Sequence, residues 1–149
     1  MKVRQLAPGD QAELLASAAL LDEPPDLEAA TSYLADPRNI YLLAYENEVP
    51  VGFLRGTALG QLKSRRPQMF LYEIAVDAQF QRRGVGTALV EHLLEYCRQR
   101  EFEEVFVFTD PGNLPAVGLY RKTGAVTETP ADRMFVYPLS PSPEPDQPH

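Results

Sequence analysis

The run Gln81-Arg82-Arg83-Gly84-Val85-Gly86 decides the fold because of what stands on either side of it. Upstream, Phe70, Tyr72, Ile74 and Val76 alternate with Leu71, Glu73 and Ala75, the two-residue period of a strand. Downstream, Ala88, Leu89, Leu93, Tyr96 and Cys97 make one apolar stripe over residues 87–100, the pattern of a long helix. A strand, a glycine-bearing turn and a helix in that order make either a plain tight turn or an anion site. Glycines let backbone N–H groups approach a charged oxygen. The first helical turn leaves its N–H groups without intrahelical partners, and the macrodipole adds partial positive charge. Arg82 and Arg83 place two full charges beside that turn, in a chain of formal net charge -7. The expected ligand of residues 81–87, Thr87 included, is a pyrophosphate. No G-K-[ST] follows, which excludes a P-loop, and position 89 is Leu where a dinucleotide fold needs its third glycine.

Working outward, residues 3–6 read as a short first strand. Pro8-Gly9-Asp10 is a turn, with Asp10 the N-cap of a helix that carries Leu14, Leu15, Ala18 and Leu21 at helical spacing. Pro24 and Pro25 interrupt that pattern, and a second short helix follows at residues 27–34. Strands at 40–45 and 49–56 flank the polar Glu46-Asn47-Glu48 turn. Beyond the long helix, residues 105–109 predict a strand rich in β-branched and aromatic residues. Residues 114–122 predict a helix stopped by Thr123-Gly124, and residues 133–139 a last strand. The order β-α-α-β-β-β-α-β-α-β is α+β, a mixed central sheet flanked by helices. One domain is expected over residues 1–139. Residues 140–149, with four prolines and no apolar side chain, are expected to be a flexible tail.

Composition narrows the function classes. A chain of 149 residues, 44% of them apolar, can bury a core without disulfides or a structural metal. The lone cysteine, Cys97, has no partner, which fits a reducing, cytoplasmic setting; its place in the apolar stripe reads as packing rather than as an acyl nucleophile. No stretch approaches a membrane span and no cleavable leader is visible. The acidic balance argues against non-specific nucleic-acid binding; it is compatible with a cationic small substrate and equally with a charge that serves solubility alone. No cluster of His, Cys or acids has metal-ligand spacing, so no metal is expected.

Two motifs together resemble the GNAT superfamily of N-acetyltransferases. The first is Gln81, Gly84 and Gly86 in Q-x-x-G-x-G after a strand. The second is Asn113, Ala116, Leu119, Tyr120, Lys122 and Gly124 in the following helix, with Ala125 departing from the family's usual aromatic residue. Residues 70–124 are most similar to aminoglycoside 3-N-acetyltransferases, through Tyr72-Glu73-Ile74-Ala75-Val76, R-R-x-G and P-A-V-x-L-Y-x-K, although that group has aspartate where this chain has Glu73.

The resemblance implies acetyl-coenzyme A as co-substrate, lying in a splay between the strand ending at Val76 and the strand ending at Thr109. Backbone groups of Ile74, Ala75 and Val76 would bind the pantetheine and polarise the thioester carbonyl. Gln81, Arg82, Arg83, Gly84, Val85, Gly86 and Thr87 would hold the pyrophosphate. Tyr120 matches the family's general acid, or else packs on its helix. Glu73 is the candidate base, directly or through water, or else a solvated strand glutamate. Asp110 is a second candidate near the acceptor, and Asn113 caps its helix, touches the cofactor, or does both. The acids Asp22, Glu23 and Asp26 either recruit a polycationic small-molecule amine or form an ordinary solvated loop. Acetylation of a peptide α-amine or lysine, and a non-catalytic acetyl-coenzyme A sensor, are the competing functions. The family often dimerises, but no homodimer interface is identifiable in the sequence.

Overall fold

The computed structural model describes residues 1–127 and 135–139. Its five strands, β1 (Lys2–Gln5), β2 (Asn39–Glu46), β3 (Val49–Leu59), β4 (Gln68–Val76) and β5 (Glu104–Phe106), lie side by side in chain order. β1 to β4 are antiparallel to their neighbours, whereas β5 runs parallel to β4. The reversal is forced by what intervenes. β2, β3 and β4 are joined by turns and loops, but β4 and β5 are joined by the helix α3 (Val85–Gln99), a crossover that returns the chain in the same direction.

Helices cover both faces of this mixed sheet. On one face, Leu89, Val90, Leu93 and Cys97 of α3 pack with Ile40, Leu42, Leu54, Met69 and Leu71 of the sheet. On the other, α1 (Gln11–Ala16) and α2 (Leu27–Ala35) bring Leu14, Ala30 and Leu34 onto Tyr41, Leu43 and Phe53. Both sides of β2 and β3 are therefore buried, which explains their near-continuous apolar runs. The helix α4 (Leu114–Lys122) lies on the α3 side, with Leu119 and Tyr120 against that core.

Several expectations are adjusted. α1 ends at Ala16 and gives way to a 3₁₀ turn at Ala18–Leu20, so the pattern through Leu21 is not one helix. Asp10 precedes α1, but its carboxylate turns back to accept from the Ala7 N–H (2.8 Å) and Arg4 (2.9 Å) instead of capping the helix. α3 starts two residues early, inside the glycine motif. β5 stops at Phe106 because β4 and the following residues no longer pair. Of the expected last strand, residues 133 and 134 lie outside the described residues, and 135–139 form no strand, with Phe135, Tyr137 and Leu139 exposed. The expected tail at 140–149 also lies outside them.

Candidate active site

The site begins with an irregularity in β4. Leu71 pairs with Gly56 and Glu73 with Arg55, so Tyr72 is an extra residue without a cross-strand partner, a β-bulge. Strict alternation would have set Tyr72 and Glu73 on opposite faces. The bulge shifts the phase: Met69, Leu71, Ile74 and Val76 all pack toward α3, while Tyr72, Glu73 and Ala75 face α1 and α2. Glycine is required opposite the bulge, since a Cβ on Gly56 would lie 2.6 Å from the carbonyl oxygen of Phe70.

Glu73 thereby enters a solvent-open cleft of about 190 Å³. Its floor is the sheet, through Tyr41, Arg55 and Glu73. Its walls are Leu14 of α1, the connecting Leu21, Glu23 and Pro25, and Ala29, Ala30 and Tyr33 of α2. Arg55 Nε donates to Glu73 Oε1, and the guanidinium lies 4.1 Å from the Tyr72 ring centroid and 5.7 Å from that of Tyr33. Burial opposes the charge of Arg55, but the Glu73 carboxylate outweighs it and holds the guanidinium above its ordinary value. The Tyr33 hydroxyl is shared between the carbonyls of Ile40 (2.9 Å) and Gly56 (3.0 Å), and the Tyr41 hydroxyl is hydrogen-bonded to Ser17 Oγ (2.7 Å). Burial pushes both phenols up to about 12. The cleft is thus mostly apolar, with two carboxylates against one guanidinium.

The other edge of β4 is differently placed. β4 and β5 pair only from Gln68 to Phe70 and from Glu104 to Phe106; beyond that the ladder stops while β4 continues to Val76 along β3. The β4 edge at Ile74, Ala75 and Val76 therefore has no strand on that side among the described residues. Residues 81–86 follow that edge in the chain. Gln81 Nε2 reaches back to the Val76 carbonyl (3.4 Å), Arg82 takes a left-handed φ of 64°, and Gly84, at φ 84°, is the residue before α3. Val85, Gly86 and Thr87 form the first helical turn, so their N–H groups are the ones without intrahelical acceptors. The two glycines have different jobs. Gly84 supplies the left-handed turn, whereas Gly86 is helical and makes room for α4, a Cβ there meeting Leu119 Cδ2 at 3.2 Å. Arg82 and Arg83 are exposed, with Arg83 5.2 Å from the Phe80 ring centroid. The first turn of α3 and the two arginines beside it could hold an anionic group.

The family model for the acetyltransferase (GNAT) family matches residues 10–125. The chain belongs to the GNAT acetyltransferase family. An aminoglycoside acetyltransferase from an uncultured soil metagenomic sample, solved in complex with sisomicin, superposes on this GNAT chain with a TM-score of 0.86 at 27% identity, covering 93% of this chain and 96% of that one. A second soil metagenomic aminoglycoside acetyltransferase gives a TM-score of 0.81 at 30% identity, covering 93% and 98%. N-acetyltransferase 8 of Homo sapiens is 28% identical over 93 residues, 62% of this chain and 41% of the human protein. The chain therefore spans about two fifths of the length of such curated relatives.

The other predicted residues of the GNAT site are distributed unevenly. Tyr120 is half-buried on α4, and burial alone raises its hydroxyl above the usual tyrosine range. Asn113 caps α4, accepting from the Ala116 N–H (3.2 Å). Of the acidic run, only Glu23 lines the cleft. Asp26 is spent as the N-cap of α2, accepting from Ala29 (2.8 Å), and Asp22 lies outside the lining. Asp110 accepts from the Gly112 N–H (2.7 Å) in an exposed turn, away from the cleft. Cys97 is buried in the α3 core with its thiol pushed up to about 11 by burial, and His92 is exposed. Among the described residues no group of three or more His, Cys, Asp or Glu could hold a metal, and no helix is long and apolar enough to cross a membrane. Sequence reasoning missed Arg55, Tyr33 and Tyr72. Arg55 had a signal, a lone charge inside the apolar run Val51 to Leu54 and beyond, but its partner is set by strand register.

Proposed function

We propose that the protein transfers the acetyl group of acetyl-coenzyme A to a primary amine of a small, polar, cationic acceptor held in the Glu73 cleft. The observation that carries this reading is the bulge at Tyr72, which turns Glu73 into the cleft at the strand whose other edge is open for the donor. In this scheme the pyrophosphate sits on the first turn of α3 and Arg82–Arg83, Gln81 closes the loop, and Asn113 orders the start of α4. The pantetheine follows the free edge at Ile74, Ala75 and Val76, where a main-chain N–H polarises the carbonyl. Glu73 takes a proton from the ammonium, directly or through water, and the amine nitrogen bonds to the carbonyl carbon. The second nitrogen proton leaves to solvent as the C–S bond breaks, and the Tyr120 hydroxyl protonates the thiolate. The products are an amide and free coenzyme A.

Acceptor choice rests on the cleft walls and on the relatives. α1, α2 and their connection close the cleft on one side, which suits a small molecule better than an extended chain, and Glu23 with Glu73 leaves it one negative charge in excess of Arg55. Two relatives of high structural similarity are aminoglycoside acetyltransferases, so an aminoglycoside-like amine is the first acceptor to try. The Escherichia coli relative that acetylates the alanine of ribosomal protein bS18 is 37% identical over 54 residues, which keeps a peptide α-amine as the second. Thiol release from acetyl-coenzyme A, screened over aminoglycosides, polyamines, amino acids and peptides, tests the reading. Turnover confined to peptides would sink the small-acceptor assignment. Calorimetric binding of acetyl-coenzyme A without turnover would favour a sensor, and no binding would defeat the whole scheme.

A further inference from the structure

Arg55 lies in the cleft but has no place in the chemistry described above. It is the direct cross-strand partner of Glu73, and Nε of its guanidinium is bonded to one carboxylate oxygen, Oε1. The pair is half-buried, with 30% of the Arg55 and 35% of the Glu73 side chain exposed. Tyr72, brought to this face by the bulge, covers the guanidinium at 4.1 Å, and Tyr33 stands at 5.7 Å. Tyr33 is itself immobilised by its two carbonyl partners. A planar cation stacked on one ring, flanked by a second and tied through Nε has little rotamer freedom left. Glu73 inherits that rigidity. Among the described residues Oε1 is the oxygen that accepts from Arg55 and Oε2 takes no hydrogen bond, while the residue itself lines the cleft.

We infer that Arg55 is a positioning residue: clamped between Tyr72 and Tyr33, it occupies Glu73 Oε1 and aims Oε2 at the acceptor ammonium. This rests on the reading of Glu73 as the base. An alternative would have the terminal nitrogens of Arg55 contact the acceptor directly; another would make the ion pair a purely structural strut. The three differ in how Arg55 and Glu73 couple.

A double-mutant cycle with spermidine as the probe amine separates them, using wild type, Arg55→Gln, Glu73→Gln and the double variant. Arg55→Gln is expected to lower kcat about 10- to 100-fold, the cost of a misaimed reacting group, with KM for acetyl-coenzyme A unchanged. In the Glu73→Gln background the same change is expected to do almost nothing, because its only route to the chemistry has been removed. Effects that multiply would overturn positioning while leaving the base assignment standing, as would a rise in acceptor KM at unchanged kcat. A Glu73→Gln variant with wild-type kcat would overturn both readings. Should Arg55→Gln fail to fold, Tyr72→Leu removes the stacking ring with the ion pair intact, and a smaller kcat loss that vanishes in Glu73→Gln is expected. A crystal structure of Arg55→Gln supplies a readout free of the acceptor: displacement of the Glu73 carboxylate supports the inference, and an unmoved carboxylate overturns it.

Discussion

The loop at residues 81–86 follows strand β4 and the cleft around Glu73 is floored by it, yet they are built by opposite means. The loop is a contiguous piece of chain whose useful groups are backbone N–H donors at a helix start. The cleft draws side chains from α1, the α1–α2 connection, α2, β2, β3 and β4, and its useful groups meet only because the sheet is in register and bulged. The loop is therefore fixed by local conformation, and the cleft by tertiary packing. Perturbations of packing should damage the cleft first, and perturbations of backbone conformation should damage the loop first.

Alkaline pH gives the largest separation expected. Tyr33 and Tyr41 both line the cleft, and burial raises both phenols to about 12 from an unfolded value near 10. A group whose folded pKa is raised contributes full stability below its unfolded pKa, and that contribution is lost as pH climbs toward the folded value. Stability should hold to about pH 10 and then fall, by at most ~2–3 kcal/mol for each tyrosine by pH 12. Thermal unfolding followed from pH 9 to 12 checks this, with Tyr33→Phe expected to flatten part of the slope. A flat profile would mean that the cleft is not held by neutral buried phenols.

The same contrast explains what could be read from residues alone. Gly84, Gly86 and the two arginines are near neighbours in the chain, and helix-start physics acts over a few residues, so the loop and the strands and helices beside it were legible. Asn113 as a cap was legible for the same reason. The bulge at Tyr72 was not. Nothing local in FLYEIAV distinguishes a phase shift from plain alternation, because the shift is a matter of pairing with Arg55 and Gly56 on another strand. The pairing of Arg55 with Glu73 and the loss of Asp26 to a cap bond depend likewise on register and on where α2 begins. The division of labour between the glycines escaped too, since the close approach of Leu119 to Gly86 joins two helices far apart in sequence.

Breaking the loop instead of the cleft should give an effect of intermediate size. Gly84 takes a φ of 84° with open space around its missing side chain. A Cβ meets no clash there, so Gly84→Ala suffers only backbone strain, of the order of 1–3 kcal/mol. If the loop relaxes to relieve it, the first-turn N–H groups of α3 lose their common aim. Affinity for acetyl-coenzyme A should fall about 10- to 100-fold, that strain expressed as binding. Acceptor KM should stay put, because no loop residue lines the cleft. Calorimetry for the donor and steady-state kinetics for the acceptor make the comparison, and parallel losses in both would show that the two regions are not independent.

The smallest effect, and the finest test, concerns the acids between α1 and α2. Four carboxylates crowd Asp22 to Glu28, and recruitment of a cationic acceptor by bulk charge would make them interchangeable. Their positions say otherwise: Glu23 lines the cleft, Asp26 holds the Ala29 N–H, and Asp22 lies off the lining. Glu23→Gln should raise the KM of a polycationic acceptor only a few-fold, since exposed ion pairs contribute at most about 1 kcal/mol. That rise should shrink as salt is added. Asp22→Asn should leave KM unchanged. Asp26→Ala should lower Tm by a few degrees through loss of the cap, with little direct effect on the acceptor. Equal KM rises in all three would restore the bulk-charge explanation. A rise confined to Glu23 would mean that acceptor attraction, like the aim of Glu73, is set by where the fold puts one carboxylate rather than by how many the sequence supplies.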